Sequence, residues 1–282
     1  MQPLSRKKRL SYLVLSCLLF VILAPSAILY AKGYRLTNSL QITRTGGLYV
    51  SVGLSGAQVY LDGVLVKETG RFQKGALIQN LKPGTYTIRV EKKELYSWEK
   101  TLPVFRETVT DAQTLMLPKE PEIIEILAKK ETPKESSTST KTIVAEKNPQ
   151  YDLVVELFAP KKTASSTEEK IINKLSAENK DGKIVVTWLG EESSRPSFFC
   201  LGENCQEEIL ISSKSGIGSF YFMPGRDDLI IFQTRNGIYV SEIDNRSEQN
   251  IQPVWEKWGL ELRVSDNTIY IKDGKKYYTV SL

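Results

Sequence analysis

The sequence predicts a mainly β protein: an N-terminal transmembrane helix, then a small β-sandwich, then propeller-like antiparallel β-sheets. Three observations carry this. Residues 10–31 form an unbroken apolar run without a charge. Short runs of alternating polarity, broken by Asp-Gly and Pro-Gly turns, fill residues 46–118. Two look-alike stretches near the C-terminal side are spaced close to the ~40–45 residues of one propeller blade.

The apolar run follows a basic block, Arg6-Lys7-Lys8-Arg9. Its 22 residues, at ~1.5 Å rise each, cover the ~30 Å hydrocarbon core of a bilayer. A helix can cross there because it satisfies its own backbone hydrogen bonds. The Arg/Lys-rich flank, residues 1–9, belongs in the cytoplasm by the positive-inside rule, with Lys32 and Arg35 as the weaker flank. Pro25 is tolerated in such a helix. A cleaved signal peptide is the alternative. Its apolar region is usually ~7–15 residues, shorter than this one, and Ala24-Pro25-Ser26-Ala27 is a poor cleavage site. Both readings export residues 33–282. The expected location is therefore the cell membrane, single-pass, with the N-terminus inside and the C-terminus outside.

Charge follows from this division. The chain carries 38 Lys+Arg against 33 Asp+Glu, net +5. Residues 1–32 hold five of the basic residues and no acid, which leaves 33 against 33 beyond them. The basic isoelectric point belongs to the anchor, so no nucleic-acid partner is expected. Histidine is absent, which excludes histidine triads, HExxH zinc sites and histidine proton relays. Cys17 lies in the apolar run as a small apolar residue. Cys200 and Cys205 are candidates for a disulfide in an exported, oxidising compartment, or for two thiols kept apart on adjacent strands. Neither a metal nor a cofactor is expected.

Residues 46–118 read as an all-β unit. Leu48-Tyr49-Val50-Ser51-Val52 opens it. Gln58-Val59-Tyr60-Leu61 and Val64-Leu65-Val66 flank Asp62-Gly63, a hairpin signal because glycine tolerates positive φ. Leu81-Lys82-Pro83-Gly84 is a second turn, and Tyr86-Thr87-Ile88-Arg89-Val90 alternates with period two. Residues 98–104 and 108–117 supply two more strands. The segment resembles the PEGA domain family. Gln58 to Gly63 is similar to that family's strand and turn. Asn80-Leu81-Lys82-Pro83-Gly84-Thr85-Tyr86 is similar to its central signature, and Tyr96-Ser97-Trp98 falls where it often has Gly-Tyr near an aromatic. The name-giving tetrapeptide falls at Leu54-Ser55-Gly56-Ala57, which keeps Gly-Ala alone. The resemblance implies an immunoglobulin-like sandwich of bacterial and archaeal surface proteins, without an agreed enzymatic activity.

Residues 119–150 read as a linker: Lys129 to Thr140 is charged, rich in Ser and Thr, and poor in apolar residues. Glu122 to Leu127 could pair as a strand just before it. In residues 151–282, Leu153 to Phe158 reads as a strand. A polar insertion at 160–182 reads as a short helix, with Ser166 and Glu169 as a capping box followed by Ile171, Ile172 and Leu175. Strands then recur. Asp227-Asp228-Leu229-Ile230-Ile231-Phe232 leading to Asn236-Gly237 parallels Asp266-Asn267-Thr268-Ile269-Tyr270-Ile271 leading to Asp273-Gly274. Together with Phe222-Met223-Pro224-Gly225-Arg226, this resembles WD- and TolB-like propeller repeats. There is room for about two to three blades, fewer than the ~4 that close a propeller. Hence a degenerate stack, a stack packed on the sandwich, or completion by oligomerisation is expected.

Few residues here carry chemistry. Asp227-Asp228 and Glu242/Asp244 are the tightest acidic groups. They are candidates for paired acids or Ca²⁺, set against a turn role that asparate favours through its own backbone. Gly216-Ile217-Gly218 lacks the Lys-Ser/Thr of a phosphate loop, and Asn245-Arg246-Ser247 is a glycosylation sequon. Trp98, Trp188, Trp255 and Trp258 form a candidate glycan-stacking set, with Trp255 and Trp258 first, against a role in filling β cores. The expectation is a non-enzymatic, membrane-anchored protein with a structural, adhesion or protein-interaction role at the cell envelope, its partner an envelope protein or polysaccharide. The alternative is a glycan- or peptide-binding receptor module. A weaker alternative is a hydrolase with a carboxylate pair.

Overall fold

In the computed structural model, which describes residues 5–31, 34–36, 42–134, 142–160 and 170–282, the apolar run is one α-helix, Arg6–Ala31. None of its 26 residues is buried. At ~1.5 Å per residue it is ~39 Å long, enough to cross a membrane. Arg6 to Arg9 form its first turns, and it runs on through Pro25. Lys32 lies outside the described residues. A small hairpin, Tyr34–Leu36 with Ile42–Arg44, follows.

Residues 46–117 build a sandwich of two sheets. One holds Gly75–Leu81, Gly46–Ser51 and Val109–Gln113 in that order; the other holds Val64–Glu68, Gln58–Leu61, Gly84–Glu91 and Trp98–Val104. The first strand pairs parallel with Val109–Gln113, Leu48 opposite Thr110, which no short-range signal announces. The Asp62-Gly63 turn forms as read, with φ of 48° and 81°. Leu48 and Val50 from one sheet meet Val59, Ile88, Val90 and Leu102 from the other.

Three four-stranded antiparallel sheets follow. The first orders Lys170–Ile172, Leu175–Lys180, Lys183–Trp188 and Glu208–Ser212; the second, Phe220–Met223, Arg226–Thr234, Gly237–Glu242 and Ile251–Trp255. The third orders Leu260–Ser265, Thr268–Asp273, Lys276–Ser281 and, taken from far upstream, Glu122–Glu125. Glu122 pairs with Ser281. The fold is thus mainly β, with an apolar helix, a sandwich and propeller-like sheets.

Period-two alternation explains how the sheets stack. In Arg226–Thr234, Leu229 and Ile231 enter the cluster that holds the sandwich core, while Ile230 and Phe232 enter the cluster of the first sheet. The second sheet is therefore covered on both faces, and its continuous apolar run is what such a strand needs. Leu262 and Ile271 bring the third sheet into the sandwich cluster. Its other face, at Tyr270, is covered by Val154 and Phe158.

Three expectations are corrected. Leu153 to Leu157 belong not to a strand but to a helix, Pro149–Leu157, with Phe158 as its C-cap. Asn148 caps it, accepting from the Gln150 N–H, and Pro149 suits the first turn, where its missing donor costs nothing. Ile171, Ile172 and Leu175 are not helical. They lie in a hairpin turned by Asn173 and Lys174, both at positive φ. Ser166 and Glu169 lie outside the described residues. The stretch from Lys129, read as linker, pairs in part, Lys129–Lys134 with Thr142–Lys147, while Glu122–Glu125 forms a strand as expected and completes the third sheet.

Candidate functional site

The strand Trp98–Val104 buries every second residue: Trp98, Lys100, Leu102 and Val104. Three of these are apolar. The fourth is an ammonium in a core position, its side chain 0% exposed. A charge there needs a partner, because an isolated buried ion is far too costly. The second sheet supplies it. Lys100 Nζ donates to Glu242 Oε1 at 2.5 Å and to the Asp244 carbonyl at 2.7 Å. Glu242 Oε2 accepts from Trp98 Nε1 at 2.9 Å, and Oε1 also accepts from the Asn250 N–H and Nδ2, each at 2.8 Å.

The network extends on both sides. Arg246 grips Asp244 with Nε and Nη2, at 3.0 and 2.8 Å, and Nη2 reaches the Asp111 carbonyl at 2.6 Å. Arg226 grips Asp228 with two bonds of 2.6 Å and donates to the Thr114 carbonyl at 3.2 Å. Burial acts to lower the Arg226 pKa, but the Asp228 hydrogen bond and charge outweigh it and hold the guanidinium above its ordinary value. Gln252 bridges the Leu115 carbonyl and the Leu117 N–H, at 2.7 and 2.8 Å. Lys100, Arg226 and Arg246 thus face Asp228, Glu242 and Asp244, three charges against three.

This arrangement bears on acid–base chemistry. A catalytic carboxyl must exchange a proton with a substrate. Glu242 is filled by Trp98, Lys100 and Asn250, and both Asp228 and Asp244 are held two-pronged by arginine. Asp227 accepts from Asn173 Nδ2 at 3.0 Å. The acidic residues are the joint between sandwich and sheets. Among the described residues no group of three His, Cys, Asp or Glu could hold a metal ion. The sequon is built into the same joint: Asn245 Nδ2 donates to Gln206 Oε1, and Ser247 Oγ accepts from the Thr101 N–H.

Beside the joint lies a cleft of about 620 Å³, with Phe105 and Val109 of the sandwich on one wall and residues 200–204 on the other. Cys200 and Cys205 pair across a two-strand hairpin and form a disulfide. Gly202, at φ 65°, brings the hairpin tip against the Phe105 ring, 3.0 Å from where a Cβ would stand. A 3₁₀ turn, Ser197–Phe199, leads into the short strand Cys200–Leu201.

The four tryptophans do not form one face. Trp98 is buried in the joint. Trp188 Nε1 donates to the Glu191 carbonyl. Trp255 stands edge-on to Tyr278, ring centres 5.1 Å apart. Trp258 is 79% exposed and lines a cavity of about 530 Å³ with Gly182, Gly216 and Arg235; Trp255 is not part of that lining. Sequence reasoning missed Lys100. Its signal was a charge in phase with Trp98, Leu102 and Val104.

No family model matches the chain, and no curated protein matches it. Among solved structures, a chain described as "AfRom2 CNH domain" is similar at 13% identity over 76% of this chain and 69% of that one, with a TM-score of 0.25. At that score the likeness carries no argument about fold or function.

Proposed function

We propose that the chain is a single-pass, membrane-anchored protein whose β portion lies outside the cytoplasm and acts in protein interaction, adhesion or envelope structure, without enzymatic activity. The observation that carries this is the helix Arg6–Ala31, apolar, wholly unburied and preceded by no acid. Arg6, Lys7, Lys8 and Arg9 favour an inside N-terminus. The Cys200–Cys205 disulfide suits an oxidising compartment, which supports the same side. The PEGA resemblance of residues 46–118 agrees with a surface protein, and the two-sheet sandwich is compatible with it. The neutralised carboxylates support a scaffold over a hydrolase.

Protease treatment of intact cells against inverted vesicles tests this. Digestion of the β portion only in intact cells is expected; digestion only in inverted vesicles refutes the orientation. A second reading, a glycan- or peptide-binding module, is favoured by Trp258 at its cavity. Soluble envelope polysaccharide should then shift the tryptophan emission, and the shift should vanish in Trp258→Phe.

A further inference from the structure

The sandwich has an open edge. In the four-stranded sheet, Val64–Glu68 is the outermost strand, paired on one side with Gln58–Leu61. A free strand edge presents unpaired N–H and C=O groups and templates pairing with another chain. Soluble proteins usually blunt such an edge with charge, proline or a covering element. Here the edge carries one lysine, Lys67, and a bulge opposite Val59 and Tyr60, yet Val64, Leu65 and Val66 stay exposed in succession. Phe72, in the loop just after the strand, is fully exposed. Three apolar side chains exposed in a row along a strand edge are unusual for a monomer surface.

The charges at this edge narrow the partner. Lys67, Arg71 and Lys74 stand against Glu68 and the turn residue Asp62, three cations to two anions, all outside any ion pair among the described residues. Lys67 bonds only the neutral Gln73 side chain, at 3.1 Å. The edge is therefore cationic as well as apolar. A second copy would bring the same cationic excess to its own contact.

We infer that Val64–Glu68 is a docking edge for an extended acidic segment of another protein, which adds as a fifth strand. Backbone bonds to the edge would supply affinity, as in strand addition generally. Side chains on one face of the added strand would contact Val64 and those on the other Leu65, with Lys67, Arg71 and Lys74 within reach of its carboxylates. The inference stands whichever side of a membrane the β portion occupies.

The test uses the full chain in detergent and fluorescein-labelled octapeptides, read by anisotropy. The probes are an alternating Val-Glu peptide, its Val-Lys counterpart, and the Val-Glu peptide N-methylated at alternate residues. Saturable binding of the Val-Glu peptide is expected, weakened about tenfold or more in each of the other two. Phe72→Ala should weaken it, and the loop variant Arg71→Glu/Lys74→Glu should reverse the preference between Glu and Lys peptides. Both substitutions are exposed, so folding is not at stake. Absence of binding up to about 1 mM, where specific affinity ends, overturns the inference. So does equal binding of the N-methylated peptide, which means adhesion without strand pairing. A doubled mass in sedimentation that Leu65→Arg abolishes would assign the edge to a second copy and likewise overturn it.

Discussion

Lys100 Nζ and Glu242 Oε1 lie 2.5 Å apart across 142 residues of sequence, and both side chains are almost wholly shielded from water. One belongs to the sandwich, the other to the second sheet. The salt bridge is therefore a property of the joint and of neither part alone. A buried pair of this kind adds little net stability against an apolar replacement, yet breaking it strands a charge.

That asymmetry gives the first prediction. Lys100→Met alone should lower stability by about 3–5 kcal/mol, because Glu242 is left buried without its cation. The double variant Lys100→Met/Glu242→Gln should recover a large part of the loss. Urea unfolding of the four proteins of this cycle measures the coupling. Additive losses would mean that the two residues do not share one site.

The second prediction concerns the hairpin beside the cleft. Cys200 and Cys205 close a short loop, so chain entropy alone accounts for about 2 kcal/mol. Cys200→Ser/Cys205→Ser should cost that much or less. Alkylation of the unfolded chain before and after reduction, read by mass spectrometry, should show two extra modified thiols only after reduction.

The third lies at the entry to the sandwich. A Cβ on Gly46 would stand 2.0 Å from the Phe105 carbonyl oxygen, a backbone atom that cannot swing aside. Gly46→Ala should destabilise by about 1–3 kcal/mol through overpacking. The same change at Gly53, where nothing lies within 4 Å but φ is 73°, costs through backbone strain alone. Thermal unfolding of both variants separates the two causes, with Gly46→Ala expected to be the worse.

The fourth is a pH dependence. The hydrogen bond to Glu125, 3.0 Å away, and then its charge, raise the Lys276 pKa. A raised folded-state pKa stabilises fully below the ordinary lysine value of about 10.4 and loses that effect as pH climbs through the shifted value. Tyr239, pushed up by burial and then by Glu256, contributes with the same sign. Glu125→Gln removes only the Lys276 part. The variant should melt below the parent at neutral pH, and the gap should narrow above about pH 10. A constant gap across that range would dissociate Lys276 from the effect.

Much of the architecture was readable one segment at a time. The helix followed from its length, and the Asp62-Gly63 turn from residue types that set φ. The strands of the second and third sheets followed from their apolar runs. Misreadings arose where two local signals competed. Val154-Val155 favours a strand, but Asn148-Pro149 ahead of it starts a helix, and the helix won because Val154 and Phe158 then cover Tyr270. Ile171-Ile172 looked helical until Asn173 and Lys174 turned the chain back on itself. The joint was least legible. Trp98 finds Glu242 and Leu117 finds Gln252 only after the chain has folded back over more than a hundred residues. The acids themselves were visible in the sequence, but their cationic partners were not.

The strand Glu122–Glu125 is made early and completed late. Its partner, Lys276–Ser281, lies about 150 residues downstream, as the Lys276–Glu125 contact records. At the usual pace of synthesis, ~5–20 residues per second, that strand waits roughly 8–30 s for its neighbour to be made. The sandwich has every strand it needs well before then; the third sheet does not. During that interval Glu122–Glu125 offers a bare ribbon to anything nearby, and a chaperone or a neighbouring nascent chain competes with the native mate. Ribosome stalling between residues 125 and 276 would therefore release chains with a finished head and an unfinished flank.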